Sequence, residues 1–177
     1  MLLSKTQLKA FCDILKVGTK KSNNCMNLEH PNYVAISENN LKYTNGHFAI
    51  EVYNNRSNFE DEELTIVRTS EFLDFCKIRK YEVSTKEIMG FLPKVDYKFP
   101  DIGKLTKYCE LKPVDKFMLF NPEYYKCLID YFIQGVLEYA PYVEDLKYNG
   151  QGMLVVERDA YYSENLTCRF LLMSLRG

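Results

Sequence analysis

Few residues in this chain could do covalent chemistry. Its two histidines, His30 and His47, stand alone: neither has a partner at metal-ligand spacing, one precedes Pro31 and the other follows an Asn-Gly turn. The six cysteines, Cys12, Cys25, Cys76, Cys109, Cys127 and Cys168, contain no C-x-x-C pair, so neither a zinc knuckle nor a dithiol redox motif is present. Cys12, Cys76 and Cys127 fall at apolar positions of helix-like patterns and read as buried free thiols. Phosphate-loop, dinucleotide, metalloprotease and nucleophile-elbow patterns do not occur. Asp13, Asp74 and Asp130 each sit in a helical pattern with a lysine nearby, which reads as local pairing. An enzyme of this size should show convergent acids, bases or nucleophiles. The expectation is therefore no catalysis, no metal and no cofactor.

What the residues do offer is charge in a pattern. The whole chain is nearly neutral, with 23 basic and 24 acidic side chains and a net charge of −1, so any electrostatic role must come from placement. Opposite the apolar stripe of the first helical segment lie Lys5, Lys9 and Lys16, with Lys20 and Lys21 just beyond and only Asp13 against them. The second segment adds Lys77, Arg79 and Lys80 against Glu71 and Asp74. The third does not continue the pattern, because Lys126 faces Glu123 and Asp130. Lysines on a rigid helix attract phosphate without reading bases. A solvated amphipathic helix is the alternative reading of the same residues.

Positioning these side chains requires folded elements, and 177 residues suffice for one large domain or two small ones. Ser4 with Gln7 three residues on forms a capping-box signature; Leu8, Phe11, Cys12 and Leu15 then recur at helical spacing, with Gly18 as the stop. A second helix is expected over 70–80, with Ser70 as N-cap and Phe72, Leu73 and Cys76 as its apolar face. A third is expected over 122–134, from Asn121-Pro122 to a stop at Gly135. Strands are expected at Tyr33–Ile36, Leu41–Thr44, Phe48–Tyr53, Leu64–Val67, Tyr81–Ser84, Lys116–Phe120, Met153–Glu157 and Thr167–Leu175, with Asn45-Gly46 as a hairpin turn. Glu60–Glu63 reads as a solvated acidic loop.

The order strand, helix, several strands thus occurs three times, in units near 1–56, 57–99 and 114–177. The expected class is α+β, with antiparallel sheets and helices on one side. Two strand–helix units would form a domain over 1–99. A connector over 100–113, the end of the extended stretch Pro93–Pro113, would lead to a second, shortened domain over 114–177. No apolar run approaches the roughly 20 residues of a membrane span. The opening Met1–Lys5 lacks the charged and apolar regions of a secretion signal, so a cytoplasmic location is expected.

Leu3–Phe11, Ile36–Thr44, Asn45–Glu51, Thr65–Cys76, Phe120–Tyr125 and Phe170–Arg176, in that order, together resemble the DNA sliding clamp family of the bacterial beta type. Leu3–Phe11 resembles the first strand and helix of those clamps, and Ile36–Thr44 their strand, short turn and strand ending in L-x-L-T. Asn45–Glu51 stands where the clamps carry an x-D-x-x-x-x-I stretch, and Thr65–Cys76 looks like the strand feeding their second helix. Phe120–Tyr125 is similar to the F-N-x-x-Y that opens a helix of the last clamp domain, and Phe170–Arg176 to the terminal M-P-M-R-L. The chain departs from the pattern in having Ser174 in the place of the proline, Gly177 beyond the motif, and room for only three or four units.

The resemblance implies a non-enzymatic, phage-like processivity factor for DNA replication. It would hold duplex DNA non-specifically through Lys5, Lys9, Lys16, Lys20, Lys77 and Lys80. It would dock polymerase or clamp-loader peptides at Leu172, Met173, Leu175 and Arg176, beside the Pro93–Pro113 connector. Ring closure would require a homo-oligomer, four chains if each supplies three units. The alternative is a non-ring interaction protein of clamp fold that competes for clamp partners or the clamp loader, acting in the host cytoplasm if viral.

Overall fold

The computed structural model describes residues 1–22, 32–54, 63–79, 81–102, 104, 112–113, 119–136, 147–148, 152–160 and 165–174. The chain opens with β1 (Leu2–Leu3) and α1 (Lys5–Ser22), then β2 (Tyr33–Ile36), β3 (Asn40–Thr44), β4 (Phe48–Asn54) and β5 (Thr65–Arg68). Next come α2 (Thr69–Ile78), β6 (Val83–Ser84), α3 (Thr85–Phe91) and β7 (Lys112–Pro113). α4 (Pro122–Lys126) runs directly into a π-helical segment, Cys127–Val136, before β8 (Lys147–Tyr148), β9 (Met153–Asp159) and β10 (Leu166–Met173).

Among the described residues, eight strands form one sheet in the order β5-β2-β3-β4-β10-β9-β8-β7, every pair antiparallel. The chain is thus α+β with an antiparallel sheet, as its strand and helix patterns predict. β4 and β10 join the early and late strands, Phe48 opposite Leu172 and Val52 opposite Cys168. β1 and β6 pair apart from this sheet.

Strand alternation gives the sheet two unlike faces. Phe48, Ile50 and Val52 of β4, with Cys168, Phe170 and Leu172 of β10, belong to the core shared with Phe11, Ile14, Leu15, Phe72 and Phe132 of the helices. The ring of Phe170 lies 5.3 Å from Phe48 and 5.2 Å from Phe132. The opposite face carries a smaller apolar cluster of Ala49, Leu171, Met153 and Val155, covered by Ile102 and Phe99. The connector reaches this face along the sheet edge. Val95 N donates to Ile66 O at 2.8 Å, and Tyr97 stacks on Tyr33 at 4.1 Å.

The first helix starts as the sequence predicts. Gln7 N donates to Ser4 Oγ at 3.1 Å and Ser4 N to Gln7 Oε1 at 3.0 Å, a reciprocal capping box. It does not stop at Gly18. A Cβ there would lie 2.2 Å from the Tyr43 hydroxyl, so the glycine lets a fully buried tyrosine ring press against the helix flank. Burial pushes the Tyr43 phenol well above its ordinary pKa. Gly135 also differs from expectation, since it lies inside the π-helical segment where a Cβ would meet that of Ala10 at 2.4 Å. The glycine marks a close helix crossing instead of an end. Gln7 secures the same crossing by donating to Val136 O at 3.3 Å.

Other boundaries shift for local reasons. α2 begins at Thr69 with Arg68 in the extended N-cap position and no side-chain cap, so Ser70 is inside the helix. The Asn-Gly hairpin is displaced by one residue: Gly46, with φ +83°, and His47 are its centre, and Asn45 Oδ1 accepts from the His47 and Phe48 amides. α3 was not expected. Its signal is present as Ser84-Thr85-Lys86-Glu87, with Ser84 Oγ accepting from Glu87 N at 3.2 Å. Residues 116–118 of the strand expected at Lys116–Phe120 lie outside the described residues, as do Leu175 and residues 60–62 of the acidic run.

The crossing at Gly135 yields a test. In an ordinary helix Gly→Ala gains up to about 1 kcal/mol from propensity. Here Gly135→Ala is expected to destabilise by about 1–3 kcal/mol through overpacking against Ala10. Adding Ala10→Gly should restore part of the loss in urea denaturation; an alanine variant as stable as wild type would show that the two helices are not in close contact.

Candidate nucleic-acid interface

α1 and α2 pack side by side on the sheet through Phe11 and Phe72, whose rings are 5.8 Å apart. A groove of about 180 Å³ follows their seam, lined by Lys5, Lys9, Lys16, Lys77, Arg79 and Tyr81 above Leu8, Cys12, Leu73 and Cys76. The helices run antiparallel, because the start of α1 shares this groove with the end of α2. At the other end of the seam, Thr19 and Lys20 face Arg68, Thr69 and Ser70 across a second depression. Four candidate lysines, Lys5, Lys9, Lys16 and Lys77, are therefore brought to one groove. Lys20 lies beyond its end, with Arg68 beside it. Lys80 is outside the described residues.

The free charge on the seam is smaller than the count of lysines. Lys16 Nζ pairs with Asp13 Oδ1 at 2.7 Å and Lys77 Nζ with Asp74 Oδ1 at 2.7 Å. The hydrogen bond from Lys16 to Asp13 raises the ammonium pKa. Arg79 contacts Glu87 at 3.2 Å and lies over the Phe75 ring at 4.6 Å. Among the described residues, exposed Lys5, Lys9 and Lys20 make no ion pair. The π-helical side of the layer is not basic, with Lys126 held 3.8 Å from Asp130. The local pairing expected of Asp13, Asp74 and Asp130 is thus present at all three.

The groove floor holds two thiols. The hydrogen bond between Cys12 and Cys76, then burial, raises the Cys76 pKa, which disfavours the reactive thiolate. Cys12, Cys76, Cys127 and Cys168 are free, and Cys168 is fully buried. Exposed His47 stacks on Tyr124 at 5.6 Å. Among the described residues, no group of three or more His, Cys, Asp or Glu side chains could hold a metal ion. No helix there is long and apolar enough to cross a membrane.

The expected docking residues separate. Leu172 is 0% exposed and enters the helix-side core, so it supports the strand instead of offering surface. Met173 is 40% exposed on the opposite face, its amide bonded to His47 O at 2.9 Å. Leu175 and Arg176 lie outside the described residues.

One polar feature of the far face escaped the sequence reading. Lys42, Glu51, Arg169 and Glu157 stand opposite one another across β3, β4, β10 and β9. Glu51 is only 5% exposed; its Oε1 accepts from Lys42 at 2.8 Å and Asn40 at 3.1 Å, and its Oε2 from Arg169 at 3.2 Å. Arg169 Nε also donates to Glu157 Oε2. Burial pushes the nearby Tyr53 phenol up to about 12, against the opposing pull of Arg169. The signal was alternation at three of the four: Lys42, Glu51 and Arg169 each stand between apolar neighbours on their strands, whereas Glu157 is followed by Arg158.

An antiparallel sheet with a helical layer on one face, and a cationic seam on that layer, is the class of structure defined here. No family model matches the chain, and no curated protein matches it. Among solved structures it is similar to a chain of the PCNA2–PCNA3 complex from Sulfolobus tokodaii, with 10% identity and a TM-score of 0.47, covering 98% of this chain and 99% of that one. It is also similar to the beta clamp of Helicobacter pylori in complex with 5-chloroisatin, at 12% identity and a TM-score of 0.44. That alignment covers all of this chain and 63% of the clamp chain. The same clamp bound to a DNA ligase peptide gives 12% identity and a TM-score of 0.37.

Proposed function

We propose that this protein is a clamp-like replication factor without catalytic activity, which holds duplex DNA non-specifically along the α1–α2 seam. The observation that carries this reading is that Lys5, Lys9, Lys16 and Lys77 line one groove, with no counter-ion on Lys5 or Lys9 among the described residues. The ordered clamp-like segments of the sequence support it independently. Such a grip uses ammonium groups on rigid elements to exchange for condensed counterions, which binds phosphate and leaves the duplex free to slide.

Replication proteins would dock on the far face around Met173, where Ile102 and Phe99 of the connector already cover Leu171, with Leu175 and Arg176 included on the sequence resemblance alone. Met173→Ala with Leu175→Ala should weaken binding of an apolar clamp-binding peptide without unfolding the chain. Equal binding by the folded double variant would place docking elsewhere.

Retention on circular against linear DNA at moderate salt, with a clamp loader, tests whether copies of the chain encircle the duplex. Retention on circles that is lost after linearisation is expected of a ring. Light scattering across a concentration range supplies the stoichiometry. The pairing of Lys126 with Asp130 leaves only part of the helical layer basic, which favours the second reading, a non-ring competitor for clamp partners. A monomer that binds a polymerase or clamp loader but is retained on neither DNA form would establish that reading.

A further inference from the structure

The groove carries one residue that a duplex grip does not use. Tyr81 lines it at the end shared by Lys5, Lys9, Lys77 and Arg79, and its side chain is 80% exposed. Among the described residues it makes no hydrogen bond or ring contact. Its neighbour Arg79 is fixed against Glu87 and the Phe75 ring, and its Nε is buried without a hydrogen-bond partner. A fixed cation thus lies beside an unpacked aromatic ring at the end of a lysine-rimmed groove.

We infer that this end of the groove binds an unpaired base, so that the protein prefers duplex DNA carrying a single-stranded arm to blunt duplex. The inference rests on the duplex-binding reading of the seam and specifies its substrate. Cations that track a backbone together with an aromatic platform are the two components of single-strand binding. Bases within a duplex already stack on each other and cannot cover Tyr81, whereas the first unpaired base beyond the duplex can. Lys5 and Lys9 are separated by about 6 Å of helix rise, which sets a short cationic rail leading to the ring.

The test measures fluorescence anisotropy of a labelled duplex with a short thymidine overhang against the same duplex made blunt, at low salt. The overhang form should bind about tenfold more tightly. Tyr81→Ala should remove that difference, and Tyr81→Phe should keep it because the stacking face is retained. Equal binding of the two forms by wild type overturns the inference and leaves the duplex reading intact. An overhang preference that survives Tyr81→Ala overturns it as well. Absence of binding to either form rejects the duplex reading itself, and the inference with it.

Discussion

Glu51→Ala is expected to destabilise the protein by about 3–5 kcal/mol, the usual cost of leaving buried ionic partners without their counter-charge. Glu51 accepts from Lys42, Asn40 and Arg169 at once, and the Lys42 and Arg169 side chains are themselves only 17% and 18% exposed. Removing the carboxylate strands poorly hydrated Lys42 in the middle of the sheet and leaves Arg169 with Glu157 alone. Glu157→Ala provides the contrast. Its side chain is 38% exposed, so water can replace the contact with Arg169 and the loss should stay below about 1 kcal/mol. Urea denaturation of both variants checks the difference. Similar midpoints for the two would mean that Glu51 is solvated and does not organise the far face.

The second large effect concerns DNA. Lys5→Glu with Lys9→Glu should lower duplex affinity roughly a hundredfold to a thousandfold at low salt, because each reversal converts an attraction for phosphate into a repulsion. The salt dependence should become shallower by about two phosphate contacts. Stability should change little, since both side chains are exposed and make no ion pair among the described residues. Lys147→Glu, at an exposed position of β8, is the control and should leave affinity unchanged. Loss of affinity in the Lys147 variant equal to that in the double variant would mean that general charge, and not the seam, governs binding.

Much of the architecture was legible because the apolar periods are clear. The capping box at Ser4–Gln7 and the stripe Leu8, Phe11, Cys12, Leu15 define α1, and period-2 alternation defines β4 and β10. The glycines were misread because a glycine that ends a helix and one that admits a neighbour look alike in sequence. Gly18 accommodates Tyr43 and Gly135 accommodates Ala10, contacts made across distant parts of the chain. α3 was hidden by its length, and its N-cap Ser84 was read as the last residue of a strand. The lysines of α1 could be grouped from helical spacing alone. That Lys77, Arg79 and Tyr81 join them could not, because it depends on how α2 lies against α1. The charge ladder through Glu51 required strand register, which no local pattern supplies.

On the proposed function the α1–α2 seam grips duplex DNA by charge alone, and a salt titration of binding to two blunt duplexes of unrelated sequence decides it. The expected result is equal affinity for both, falling linearly in log–log form with a slope of about −0.9 for each phosphate neutralised. No detectable binding at low salt, a slope near zero, or a marked preference for one sequence would contradict it.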